Sequence, residues 1–155
     1  MTNSTNHVGL GVSKRILSKK WTKTDNNMHE GSTITSAIGN RLYDHPRVQL
    51  ELLEYCMNHT EIYNEYRDVI GLYFLWSYYL ETLCFAAENK NAFLSLEYYV
   101  GMQKVCRTFF PDWRSNPLIR QVPDNIFHAF ESIDIDLESQ EDLNRLIISV
   151  SDSIR

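Results

Sequence analysis

Glu61-Ile-Tyr-Asn-Glu-Tyr-Arg-Asp-Val-Ile-Gly-Leu-Tyr-Phe-Leu-Trp-Ser-Tyr-Tyr-Leu-Glu-Thr-Leu-Cys-Phe-Ala-Ala-Glu88 decides the fold class. It has no proline and one glycine, Gly71. At 100° per residue Glu61, Asn64, Glu65 and Asp68 share one face, with Ile62, Tyr63, Tyr66, Val69 and Ile70 largely on the other. Ser77, Glu81 and Glu88 form a second polar stripe on nearly the opposite side. Between the stripes, Val69 to Leu80 has no charged residue and no consistent polar face. A helix that is apolar all round is one surrounded by neighbours. A bend near Gly71 would serve equally well, because each half could then bury a different side. Both versions make this a long, aromatic-rich central helix.

The same stretch raises the question of a membrane. Val69 to Ala87 is 19 residues long, enough to cross a hydrocarbon core. Glu81 falls inside that window, where a carboxylate is costly, and tyrosine is spread throughout instead of forming belts at two interfaces. The reading is a soluble core helix.

Outward from this stretch the chain stays helical. Ile34, Ala37, Ile38 and Leu42 recur at helical spacing, and Asp44-His45-Pro46 reads as a stop and restart. Val48, Leu52, Leu53, Cys56 and Met57 continue to Asn58-His59-Thr60, where Asn58 or Thr60 can cap the central helix. Asn89-Lys90-Asn91 is a polar turn. Leu94, Tyr98, Met102, Val105 and Phe109 then step by helical intervals toward Pro111, on a helix antiparallel to the central one. The span from Pro111 to Pro123 reads as an ordered loop anchored by Trp113 and Leu118-Ile119. Asp124 is expected to cap a short helix, and Ser139 a final one carrying Leu143, Leu146, Ile147, Val150 and Ile154. The expectation is an all-α fold: a single compact helical bundle of five or six helices over residues 32–155.

Composition narrows the function classes. Of 155 residues 43% are hydrophobic, and nine Tyr, seven Phe and three Trp exceed the needs of a small bundle core. Six glycines and four prolines are too few for the many turns of a β sandwich or barrel. The net charge of −5 hides an asymmetry. Residues 1–30 hold five Lys/Arg against Asp25 and Glu30; the remainder holds ten against eighteen carboxylates. An acidic body is a poor general nucleic-acid binder. Residues 1–31 read as a basic, flexible or loosely docked arm in which Lys14, Arg15, Lys19, Lys20 and Lys23 interleave with Val12, Ile16, Leu17 and Trp21. An organelle transit peptide or an anionic-membrane or nucleic-acid contact through that arm are the alternatives.

No catalytic signature emerges. Cys56, Cys84 and Cys106 are widely spaced, without C-x-x-C, and read as reduced core thiols of a cytosolic protein. His7, His29, His45, His59 and His128 form neither H-E-x-x-H nor paired Glu-x-x-His motifs. Asp134, Asp136 and Glu138 have the opening spacing of a calcium loop, but Ser139 stands where glycine is needed and Arg145 where the bidentate glutamate belongs. The expectation is therefore no metal, no cofactor and no catalytic residue. Function falls to interaction: a non-enzymatic cytoplasmic regulatory module binding a protein partner or a second copy of itself. Phe109, Phe110, Trp113 and Arg114, at the junction of helix and proline-bounded loop, are its candidate patch. The principal alternative is a small-molecule or cofactor-binding bundle with an aromatic-lined pocket.

Overall fold

The computed structural model describes residues 33–155, with side chains from residue 41 onward; the basic arm, including Lys14, Arg15, Lys19, Lys20 and Lys23, lies outside the described residues. Within them the fold is all-α. The helices are α1 (Thr33–Asn58), α2 (Thr60–Glu65), α3 (Arg67–Glu88), α4 (Leu96–Phe109), α5 (Asp124–Glu131) and α6 (Gln140–Ile154).

Helix α1 runs without interruption through Pro46, so Asp44-His45-Pro46 is not a stop and restart. The missing proline N–H leaves the Leu42 carbonyl without its helical partner, and a proline inside a helix costs about 3 kcal/mol in isolation. Packing outweighs that cost. Leu42 and Tyr43 before the proline, and Leu50, Leu53 and Met57 after it, are all buried in one core. The Tyr43 and Tyr98 rings meet edge-on at 4.7 Å.

The boundary expected at Asn58-His59-Thr60 is present. The chain leaves helical geometry at His59, whose side chain turns back so that Nδ1 donates to the Tyr55 carbonyl at 2.8 Å. Neither Asn58 nor Thr60 is the N-cap of α2; that position is His59, without a side-chain cap. A second break comes at Tyr66, so the stretch that opens at Glu61 is divided between α2 and α3. At Gly71 there is no bend but a close approach. A Cβ there would lie 3.3 Å from the Phe110 ring and 3.2 Å from Asn116 Nδ2.

Six residues of α3, Leu75–Leu80, form a π-helical segment, and five of them are buried. Phe74 and Gly71 meet Phe110, while Tyr79 meets Tyr99, so α4 runs antiparallel to α3. The 81–88 end of α3 packs against α6 and α1. Ser95 and Ser139 cap α4 and α6, accepting from the N–H groups of Tyr98 and Asp142 at 3.2 and 3.1 Å. Asp124 is the first residue of α5, and Pro123 takes the cap position.

A buried polar network locks α3 and α4 to the turn Ser132–Asp134. The Ser132 hydroxyl donates to the Ala129 carbonyl at 2.6 Å, which leaves its oxygen as acceptor for Tyr79 at 2.7 Å. The Tyr79 oxygen in turn accepts from Tyr99 at 2.6 Å. Gln103 sends its amide N–H groups toward the carbonyls of Ser132, Ile133 and Ile135. Each member is satisfied, which is the condition under which a buried polar network stabilises.

Candidate functional site

The aromatic patch selected from sequence divides between core and surface. Phe110 and Trp113 are buried at 6% and 3% exposure, Phe109 is half-buried, and Arg114 is exposed. Trp113 packs against Phe127 and Phe130 at 5.6 and 6.2 Å. Arg114 lies over the Trp113 ring at 4.6 Å and donates to Glu131 and Asp134 at 3.1 Å each. Arg107 reaches the same turn, donating to the Ile133 carbonyl at 2.9 Å and to Asp136 at 3.3 Å. Two of the acids with calcium-loop spacing, Asp134 and Asp136, thus pair with arginines. Bonds from Arg114 and then His128 hold the Glu131 carboxyl below its ordinary range.

Exposed apolar side chains gather elsewhere. Seven of the eleven large hydrophobics exposed among the described residues lie between positions 48 and 73: Val48, Leu52, Tyr55, Ile62, Tyr66, Val69 and Tyr73. On α1 the first three stand at i, i+4 and i+7, which puts them on one stripe. Val69 and Tyr73 are i, i+4 on α3. The two helices meet along a groove of about 180 Å³ whose walls are Leu52, Cys56, Val69 and Tyr73 and whose deeper residues are Gln49, Leu53, Ile70 and Phe74. Gln49 is only 8% exposed and its Oε1 has no hydrogen-bond partner. Most buried polar atoms find one; this acceptor is sealed beneath the apolar walls. Cys56 and Cys84 are half-buried at the surface and are not core thiols as Cys106 is; partial burial still pushes the Cys56 thiol up, and burial, followed by the Glu88 charge, does the same to Cys84.

A second cleft, about 410 Å³, opens beside the π-helical segment and is lined by Arg41, Asp44, His45, Val48, Glu81, Thr82 and Phe85, with Leu42 behind. Its geometry follows from the helix. The Glu81 N–H bonds to Trp76 O, one residue further back than in an α-helix, so Ser77 O loses its α-helical donor. His45 Nε2 donates to that oxygen at 2.7 Å. The same nitrogen is 3.0 Å from Glu81 Oε2 and 3.4 Å from Ser77 Oγ. Serine, histidine and glutamate side by side suggest nucleophilic catalysis, but such a relay needs the two imidazole nitrogens in different roles. Here hydroxyl and carboxylate crowd one nitrogen, whose proton goes to a carbonyl. Ser77 is also buried and donates to Glu81 at 3.3 Å.

Cys106 is fully buried and its thiol is pushed far up by that burial, the reverse of an activated nucleophile. Among the described residues no cluster of three His, Cys, Asp or Glu side chains could hold a metal ion. One described helix, Arg67–Glu88, is long and apolar enough to cross a membrane, and half of its apolar window is buried within the fold.

Sequence reasoning passed over the groove, although its signal was present. Val48, Leu52 and Tyr55 widen the apolar surface of α1 beyond the stripe of Leu50, Leu53 and Met57 that reaches the core. Comparison with protein-family models, with curated proteins and with solved structures finds no match for this chain.

Proposed function

We propose that the chain is a non-enzymatic helical interaction module whose docking surface is the apolar face shared by α1, α2 and α3. The observation that carries this reading is the concentration of exposed Leu52, Val69 and Tyr73 around one groove. Scattered single apolar residues are ordinary on a protein surface, whereas a contiguous set from two helices is the form that a partner helix or second subunit buries. Three unpaired cysteines suit a reducing, cytoplasmic setting. Phe110 and Trp113 then act as anchors of the loop, and Arg114 as its charged rim.

The test is native mass spectrometry of the full chain purified gently from its own host, alongside Leu52→Asp and Tyr73→Ala variants. A mass above the monomer by a subunit or a second chain is expected, falling to monomer in both variants while Phe109→Ala retains it. Complexes that survive both groove substitutions would refute the groove as the docking surface. A second reading, a small-ligand bundle, draws on the cleft at His45 and Glu81, because π-helical insertions frequently sit at functional sites. A monomer carrying a small extra mass that His45→Ala removes would favour it.

A further inference from the structure

We propose that the occupant of the groove between α1 and α3 is a second copy of this chain, docked about a twofold axis so that each copy's Tyr55 ring enters the other's groove beside Leu52. This rests on the reading of the groove as a docking surface.

The first support is spacing. Helices α1 and α3 form an antiparallel pair joined through α2, with His45 meeting Ser77 and Glu81 toward the end away from the turn. Along α1 the exposed Val48, Leu52 and Tyr55 step by four and three residues. Along the returning arm Ile62, Tyr66, Val69 and Tyr73 step by four, three and four. That alternation is the spacing through which helices interlock knob into hole. An antiparallel helix pair with such positions left open has the form of half a four-helix bundle, and a second such pair completes it.

The second support is a knob built beside the hole. Tyr55 is the most exposed of those seven residues, at 58%. Its ring stacks on the His59 imidazole at 4.2 Å, and the bond from His59 Nδ1 to the Tyr55 carbonyl holds that imidazole in place. A ring already fixed loses little freedom on docking, and tyrosine is among the residues that dominate interface energetics. Tyr55 and Leu52 share one stripe of α1, about 4.5 Å apart along its axis. A twofold between them lays each Tyr55 over the other copy's groove, the reciprocal contact of an isologous dimer.

Charge and area agree with this occupant. Residues 31–155 carry ten Lys/Arg against eighteen carboxylates, so two copies repel through most of their surfaces. None of the eight groove residues is charged, so this face lets two acidic bodies meet and offers no ion pair to a basic partner. The seven exposed apolar residues leave roughly 650 Å² open, at or above the largest patch of a typical monomer and close to the roughly 800 Å² each partner contributes to a stable interface.

The experiment is sedimentation equilibrium of the full chain, alone, from about 1 to 100 μM, a range that reaches the weakest interfaces of this size. The mass should rise to twice the 18.2 kDa of the chain. Tyr55→Ala, a mild change at an exposed position, should weaken association about 1,000-fold, roughly thirtyfold at each of the two equivalent contacts. Leu52→Glu and Tyr55→Arg should each be monomeric. Mixed in equal amounts they should dimerise again, because the introduced carboxylate then faces the introduced guanidinium while the other contact stays native. Native mass spectrometry should find one copy of each in that dimer. Ile148→Arg, at a position 59% exposed on α6, should leave the dimer intact.

A monomer throughout the concentration range would overturn the proposal. So would a dimer indifferent to Tyr55→Ala, or a mixture of the two charged variants that stays monomeric. Should a charged variant lose its helical circular dichroism, Tyr55→Ala decides alone. A chain monomeric in isolation, whose complex from the host is nonetheless lost on Leu52→Asp, would put a different protein in the groove and sink this inference by itself. Host complexes indifferent to Leu52→Asp would instead sink the groove reading.

Discussion

His45 Nε2 donates a hydrogen bond of 2.7 Å to the carbonyl oxygen of Ser77, an oxygen that the π-helical turn has deprived of its α-helical donor. One helix repairs the backbone defect of another, and the two are thereby registered against each other next to Pro46. Removing the imidazole orphans a carbonyl near the core. His45→Ala should therefore lower unfolding free energy by about 1–2 kcal/mol, with His45→Gln recovering part of it through its amide donor. Urea denaturation followed by circular dichroism measures both, and equal stabilities of wild type and alanine variant would show that the bond contributes nothing.

Two adjacent tyrosines should respond oppositely to loss of the hydroxyl. Tyr78 is fully buried and its hydroxyl has no hydrogen-bond partner, so Tyr78→Phe should be neutral or stabilising by up to about 1 kcal/mol. Tyr79 donates to Ser132 and accepts from Tyr99, so Tyr79→Phe should cost about 1–2 kcal/mol. The sign difference between the two melting-temperature shifts is the quantity to read.

Gly71 should resist the usual stabilisation of helices by alanine. In an open helix the change from glycine gains about 1 kcal/mol. Here the new methyl meets the buried Phe110 ring and Asn116, whose Nδ2 donates to Asp68 O at 2.9 Å and whose Oδ1 accepts from the Leu118 N–H, so neither side chain can yield freely. Gly71→Ala should destabilise by about 1 kcal/mol, and Gly71→Val by more. A rise in melting temperature for the alanine variant would show that the approach is looser.

Acid should weaken the fold through two half-buried surface carboxylates. Hydrogen bonds from Arg114 and then His128 hold Glu131 low, and Arg145 and then the Ser139 cap hold Asp142 low. Because the folded values lie below the ordinary ones, the contribution is complete above the ordinary carboxylate range and is lost as pH falls through the folded values. Melting temperature should drop as the pH is taken below about 4, and less steeply in Arg114→Met and Arg145→Met. On the alkaline side burial pushes Tyr99 up to about 12. That contribution is complete below the ordinary tyrosine range and is lost as pH rises toward 12, so phenolate absorbance from Tyr99 should appear together with unfolding.

Much of this molecule was legible in local pattern. The 3.6-residue recurrence of Leu143, Ile147 and Val150, the serines that cap α4 and α6, and the apolar run now buried at 75–80 all follow from properties a residue carries wherever it sits. The candidate site was not legible in the same way. Phe110 and Trp113 have the composition of an interface but are buried, because whether an aromatic ring faces a partner or the core depends on what the rest of the chain brings to it. Leu52, Val69 and Tyr73 form a groove only because α1 and α3 lie side by side.

Helicity, the absence of catalytic motifs and the division of charge between the first thirty residues and the remainder were determined by sequence alone, since they depend on near-neighbour periodicity and on counting. The tertiary structure alone decided that α1 continues through Pro46. It also decided that Gly71 answers to Phe110 and Asn116 and that His45 answers to Ser77. Each of these is a contact between residues more than thirty positions apart, or a local cost outweighed by such contacts, and local propensities carry no information about either.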